Sequence, residues 1–238
     1  MSRFAATAVI VAAACAAANA QTTYNTSVNP GWFVGTGQPN ANFVVNDNPA
    51  TGTQTGLSSF YRFDGGQNSI ANNVYEFNSG NTYAPAGTAA WNFNFHANLG
   101  GNGNLINNVI LLTIDWDPTA GQDLRTYHLE GLFLIASGNP NLNLLQGSEN
   151  LGFSYWSDPN FLTITGSQAP SVAFDPNATG TYTFNLAVYT LDGGQLSSVD
   201  MAVNVVPAPA LRQSRAWAAS RRCVAVAAEI ARIPPPER

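Results

Sequence analysis

The chain predicts an all-β fold, a single antiparallel β-sandwich or jelly-roll-like domain. An N-terminal signal peptide precedes this domain, and an unstructured or helical Arg-rich tail ends the chain. Three observations carry this. Apolar and polar residues alternate with period two in several stretches, the mark of strands with two different faces. Asn, Gly and Pro interrupt the chain about every ten residues, as turns do between short strands. No stretch between Gln21 and Val205 carries a convincing helical period.

The first element is an export signal. Met1-Ser2-Arg3 is short and positive, Phe4–Ala14 is uncharged and apolar, and Ala18-Asn19-Ala20 fits an A-x-A cleavage site. Cleavage there makes Gln21 the first mature residue. The boundaries are therefore 1–20 for the signal, 21–205 for the β-sandwich body and 206–238 for a sorting motif with its Arg-rich tail. The apolar run is too short for a membrane span of about 20 residues. A lipoprotein signal acylated at Cys15 is the alternative. Ala12-Ala13-Ala14-Cys15 fits it poorly, because the Leu-like residue three positions before the Cys is missing.

Within the body, Phe43-Val44-Val45, Leu57–Phe63 and Val74–Phe77 read as short strands. Trp91, Phe93, Phe95 and Ala97 alternate with Asn92, Asn94 and His96, a half-buried strand. The apolar run Val109–Ile114 reads as a central core strand. Tyr127–Ile135 reads as a strand with a bulge at Glu130-Gly131. Leu151–Trp156 and Phe161–Thr165 read as further strands. The strongest element is the last hairpin: Tyr182, Phe184, Leu186 and Val188 alternate with polar or small neighbours, Asp192-Gly193-Gly194 supplies the turn, and Val199, Met201, Val203 and Val205 return. The loop at Gly138-Asn139-Pro140 is the alternative place for a domain boundary.

Composition narrows the function. Apolar residues make up 45% of the chain and charged residues 10%, against about 25% in ordinary soluble domains. The chain has no Lys. Between Gln21 and Val205 the bases are Arg62 and Arg125 against twelve acids, a formal charge of −10 with His neutral. A surface so poor in cations does not bind nucleic acid. It is built from Asn, Thr, Ser, Gln and Gly, which suits hydrogen bonding to sugars but equally a plain solvated β-surface. The cysteines, Cys15 and Cys223, both fall outside the body, so it folds without disulfides.

Few residues point to chemistry. Asp115, Asp117 and Asp123 form the densest carboxylate cluster and are the candidate metal ligands. Ca²⁺, a hard cation, takes six to eight oxygens, but the EF-hand spacing is absent and Asp before Pro118 is ordinary turn chemistry. Asp175-Pro176-Asn177 is a weaker instance. Ca²⁺ is the one candidate cofactor. Tyr155 and Trp156 are candidates for a platform under a sugar ring, with burial in the core as the plainer reading. His96 and His128 have no neighbouring ligand set, and no G-x-S-x-G motif marks a nucleophile.

Val206-Pro207-Ala208-Pro209, directly after a β-rich exported body, resembles the PEP-CTERM sorting signal of bacterial proteins processed by exosortase-type enzymes. The Pro motif of that signal falls on Val206, Pro207 and Pro209, with Ala208 where Glu is commonest. Phe174–Tyr182 and the strand ending at Val206 look like the terminal hairpin of many such proteins. The family's signal continues with a membrane helix and an Arg cluster, and here the sequence departs. Six Arg and two Glu interrupt Leu211–Arg238. GC-rich codons for Ser214–Glu229, read two bases later, permit Ala-Arg-Leu-Gly-Gly-Leu-Ala-Ala-Leu followed by Arg, so a degenerate or frameshifted anchor is expected. The resemblance implies an exported, non-enzymatic surface or extracellular-matrix protein of structural or adhesive type. Its partners would be Sec-type export machinery, an exosortase-like enzyme and extracellular polysaccharide, with no nucleic acid. The alternative is a secreted carbohydrate-active enzyme on a jelly roll.

Overall fold

In the computed structural model, residues 21–36, 42–63, 66–67, 69–80 and 85–208 are described. The signal segment with Ala18 and Ala20, and the chain from Pro209 onward with its Arg-rich tail, lie outside the described residues. Among the described residues twelve strands succeed one another: β1 (Gln21–Thr26), β2 (Trp32–Gly35), β3 (Phe43–Asn48), β4 (Thr53–Tyr61), β5 (Ser69–Ala71), β6 (Val74–Asn78), β7 (Trp91–Asn98), β8 (Asn108–Asp115), β9 (Leu124–His128), β10 (Leu144–Glu149), β11 (Gly180–Thr190) and β12 (Gln195–Val206). Helix α1 (Leu129–Ser137) lies between β9 and β10, and α2 (Pro159–Thr165) comes after β10.

The fold is mostly β, in two six-stranded sheets. One has the order β1-β3-β4-β7-β10-β2 and the other β5-β6-β12-β11-β8-β9. The pairings are not all antiparallel as expected, since β2 joins β10 and β6 joins β12 in parallel. Inward side chains of both sheets share one apolar cluster. The Phe93 and Phe184 rings meet at 4.9 Å, and Trp91 and Tyr182 at 5.7 Å. The first unit of the chain runs unbroken past Gly138-Asn139-Pro140 to Val206.

The hairpin of β11 and β12 forms in the register expected, with Leu186 opposite Val199 and Gly193 at φ +88° in the turn. Val109–Ile114 lies within β8, an inner strand flanked by β11 and β9. Three expected strands are not strands. Tyr127–Ile135 splits into the end of β9 and helix α1. Leu129 and Phe133, four residues apart, bury one side of that helix, Glu130 sits in its positive first turn, and Gly138 closes it in the left-handed conformation. Phe161–Thr165 is helix α2: Asp158 caps it by accepting from Asn160 N at 2.8 Å and Phe161 N at 3.3 Å, and Pro159 starts it. Leu151–Trp156 is a turn leading into a 3-10 turn at Ser154–Ser157. These helices span nine and seven residues, too few for a 3.6-residue period to stand out from β-forming composition.

Nor is the strand around Phe93 half-buried. Every residue from Trp91 to Ala97 is buried, so Asn92, Asn94 and His96 face a second buried layer rather than water. Gly147 of β10 stands opposite Phe95 of β7. A Cβ on Gly147 would overlap the Phe95 ring, whose edge-on contact with Phe133 of α1 spans 5.9 Å. Gly147→Ala should therefore destabilise the protein by about 1–3 kcal/mol, the usual cost of overpacking. Denaturant titration should show a lower midpoint at unchanged slope. An unchanged midpoint would mean that the ring has room to move.

Candidate functional site

The carboxylates that the sequence offers as candidate metal ligands, with turn chemistry as the plainer reading, bond to the backbone. Asp115 Oδ1 accepts from Asp123 N at 2.9 Å and Asp117 N at 3.2 Å. Asp117 Oδ1 accepts from Thr119 N at 2.9 Å. Asp123 Oδ2 accepts from Ser171 N at 2.6 Å and Val172 N at 2.9 Å, and its Oδ1 pairs with Arg125 at 2.5 Å. Burial alone would raise the Asp123 pKa, but the Val172 and Ser171 bonds and the Arg125 charge outweigh it and hold the carboxyl below its usual range. Asp175 likewise turns its Oδ1 onto Asn177 N at 2.8 Å. The short-range bonds of Asp115, Asp117 and Asp175 are those of Asx turns.

Trp156 does not offer a platform to solvent, and Tyr155 is half-buried. Trp156 is buried among Tyr127 at 4.9 Å, Phe161 at 5.3 Å and Trp116 at 5.6 Å. Its Nε1 donates to Asn150 O at 2.9 Å. Asn150, fully buried, directly follows β10. Its Oδ1 accepts from Ala89 N and Gly152 N, and its Nδ2 donates to Ala89 O, Trp91 O and Asn92 Oδ1, all at 2.7–3.0 Å.

That anchor places Tyr155 against Glu149. The phenol donates to Glu149 Oε2, while Oε1 accepts from no described residue. Both groups open on a cavity of about 170 Å³, walled otherwise by apolar side chains from β2, β7, β8, α1, α2 and the 3-10 turn. Burial pushes the Glu149 carboxyl up to about 7, a shift the Tyr155 bond only partly offsets. Burial, with the neighbouring Glu149 charge and hydrogen bond, pushes the Tyr155 phenol well above its ordinary value. Such a carboxyl is neutral or charged according to small changes around it, the property that marks functional groups.

A second concavity, a cleft of about 540 Å³, runs between edge strands β1 and β5. Amides line it. Asn42 Nδ2 donates to Asn25 Oδ1 at 2.8 Å, and Gln67 Nε2 donates to Asn42 O at 2.8 Å. Asn72 and the half-exposed Tyr24 complete it. Asn25 has φ +55°, the one non-glycine residue with positive φ among those described. It sits where the β1–β3 register shifts, so a bulge re-aims its side chain toward Asn42.

The two histidines are apart. His128, at the end of β9, holds Glu130 Oε1 through Nδ1 at 2.8 Å. His96 lies in the buried layer behind β7, with Nε2 on Gln54 Oε1 at 3.0 Å and Nδ1 facing Gln146 Nε2 at 3.4 Å. An acceptor at Nε2 and a donor at Nδ1 suit the neutral ring, and burial lowers its pKa to about 4. Of the sorting motif, Val206 ends β12 and accepts from Ser79 N at 2.7 Å, while Pro207 and Ala208 are exposed. Pro207 has no N–H with which to continue the ladder. Gln21 is exposed at the start of β1, and Pro209 lies outside the described residues.

Sequence reading misses Glu149 and Asn150, although a lone acid a few residues before Tyr155-Trp156 is a signal for the first. It misses the cleft altogether, because residues 24, 25, 42, 67 and 72 meet only through sheet topology. Compared with protein-family models, curated proteins and solved structures, the chain matches none.

Glu149 and His96 act on stability with opposite sign. Glu149, raised in the fold from 4.5 to about 7, contributes stability that is fully present below 4.5 and lost as pH rises to about 7. His96, lowered from 6.5 to about 4, contributes stability present above 6.5 and lost as pH falls to about 4. Each effect is on the order of 3 kcal/mol. Between pH 4.5 and 6.5 the two slopes should nearly cancel. Urea titrations across that window should show Glu149→Gln gaining stability as pH rises and His96→Gln losing it. Two variants with the same slope would contradict the assignment.

Proposed function

We propose that this chain is an exported, non-enzymatic β-sandwich protein of jelly-roll-like type. Its role is structural or adhesive at the cell surface or in the extracellular matrix, with weak binding to polysaccharide. The observation that carries this is the amide-lined cleft with its strained Asn25. Asn and Gln side chains present paired donors and acceptors without charge, the complement of sugar hydroxyls, and Tyr24 offers an apolar ring face beside them. The glycan contact thus belongs to this cleft rather than to Tyr155 and Trp156. The body's outer surface has the same chemistry, as in the Thr113–Thr126, Asn185–Ser198 and Thr181–Asn204 side-chain bonds.

Carbohydrate hydrolysis is the second reading, and Glu149 is what favours it, since a carboxyl raised toward neutrality is fit to be a general acid. The usual mechanism takes two carboxyl groups across the scissile bond. Glu149 is the one carboxyl among the described residues lining its cavity, so binding without hydrolysis is the better fit.

Address rests on the signal at Met1–Ala20 and the motif Val206–Pro209, which Sec-type machinery and an exosortase-like enzyme would read in turn. Charges in Leu211–Arg238 oppose insertion at about 2.5–3.5 kcal/mol each near a bilayer centre. Fractionation of a host with such sorting machinery should find the chain as written exported but not held in the membrane. The version with the alternative frame after Ala210 should be held there until processed. Stable membrane retention of the unshifted chain would sink the sorting assignment. For the cleft, co-sedimentation of the full chain with insoluble polysaccharides should fall several-fold in Tyr24→Ala and in Asn72→Ala. Equal sedimentation of wild type and both variants would remove the cleft from the account.

A further inference from the structure

The cavity beside Glu149 has no part in the proposed function, yet it is built as a ligand site. Its volume of about 170 Å³ exceeds the roughly 150 Å³ that accommodates benzene. Val34, Leu112, Leu129 and Leu132 give it aliphatic walls, and Phe95, Trp156 and Phe161 give it ring walls. Polarity enters through Glu149 and Tyr155. Tyr155 occupies Glu149 Oε2 by donating to it, and a phenol so engaged has no further proton to give. Oε1 receives no hydrogen bond from any described residue. Oε1, which lies beside Gly35 of β2, is thus free to accept from a ligand that brings a donor to the carboxyl.

A neutral ligand with a hydroxyl would supply that hydrogen bond but leave the carboxyl without charge compensation. An ammonium group would supply both, and the ring walls add attraction for a cation through their faces. We propose that this cavity binds a small organic amine in its protonated form, with the ammonium on Glu149 Oε1 and the apolar body against Leu112, Leu129 and Leu132. The titratable groups near the site are Glu149 and Tyr155 on its wall and Tyr127 behind Tyr155. Among the described residues lining the cavity no cation already satisfies Glu149.

Calorimetric titration of the full chain with benzylammonium and n-butylammonium, against benzyl alcohol and n-butanol, tests this. At pH 8 each ammonium should bind about tenfold or more tightly than its alcohol, and Glu149→Gln should erase the difference. Because the amine takes the ionised carboxyl, its affinity should fall about tenfold for each pH unit below the Glu149 pKa, near 7, while alcohol binding stays level. Should Glu149→Gln fail to fold, this wild-type pH profile decides. Alcohols that bind as well as the ammonium ions, a flat pH profile, or no heat from either series would overturn the proposal.

Discussion

The arrangement of the cavity depends on one side chain, the buried amide of Asn150. It stands where β10 ends and the chain must turn back under the core. Ala89, at the entrance to β7, would otherwise leave its N–H and C=O without strand partners in an apolar interior. Asn150 meets both, and reaches on to Trp91 O and Asn92 Oδ1. A buried polar group without partners costs about 1–3 kcal/mol, so the amide is tolerated because every part of it is used. Its backbone carbonyl holds the Trp156 indole, and Trp156 then fixes the ring cluster around it. The Glu149–Tyr155 pair is thus held beside the cavity by the same hydrogen bonds that close the core.

The scarcity of charge in the composition is repeated in the interior. Behind β7 the buried layer is made of Ser58, Asn92, Asn94, His96, Gln146 and Ser148. Neutral amides and hydroxyls bond among themselves there without the desolvation penalty of ions. Arg62, one of the two body cations, lies over the Phe63 and Phe153 rings at 5.2 and 5.0 Å, and Arg125 is held by Asp123.

Long-period features of the fold are legible in the sequence, and compact ones are not. The β11–β12 hairpin announces itself because alternation is sustained on both sides of a glycine turn. β8 does so because a run of apolar residues has few other homes. Asp158-Pro159 with Gly166 is a complete set of helix start and stop signals around α2, but Phe161 and Ile164 weigh toward strand when read alone. β2 and β10 stay hidden since each is short and finds its partner far along the chain. The acid cluster is ambiguous between turn and metal on sequence alone, and in the fold its carboxylates lie on backbone N–H groups. Of the aromatic pair, Trp156 is buried and Tyr155 half-buried, a difference for which sequence carries no direct signal. The cleft joins positions that only the sheet order brings together.

The central place of the last hairpin has a consequence for the order in which the molecule assembles. Strands β1, β3, β4 and β7 pair with one another as they are made. The other sheet cannot do so. β6 pairs with β5 and β12, and β8 with β9 and β11, so that sheet remains two fragments until β11 and β12 arrive between them. Its parallel seam joins Val74 to Ala202, a closure across most of the body, and such non-local pairings slow folding. A chain that emerges amino end first therefore keeps this sheet incomplete until its final strands are delivered. The last hairpin is the keystone of that sheet.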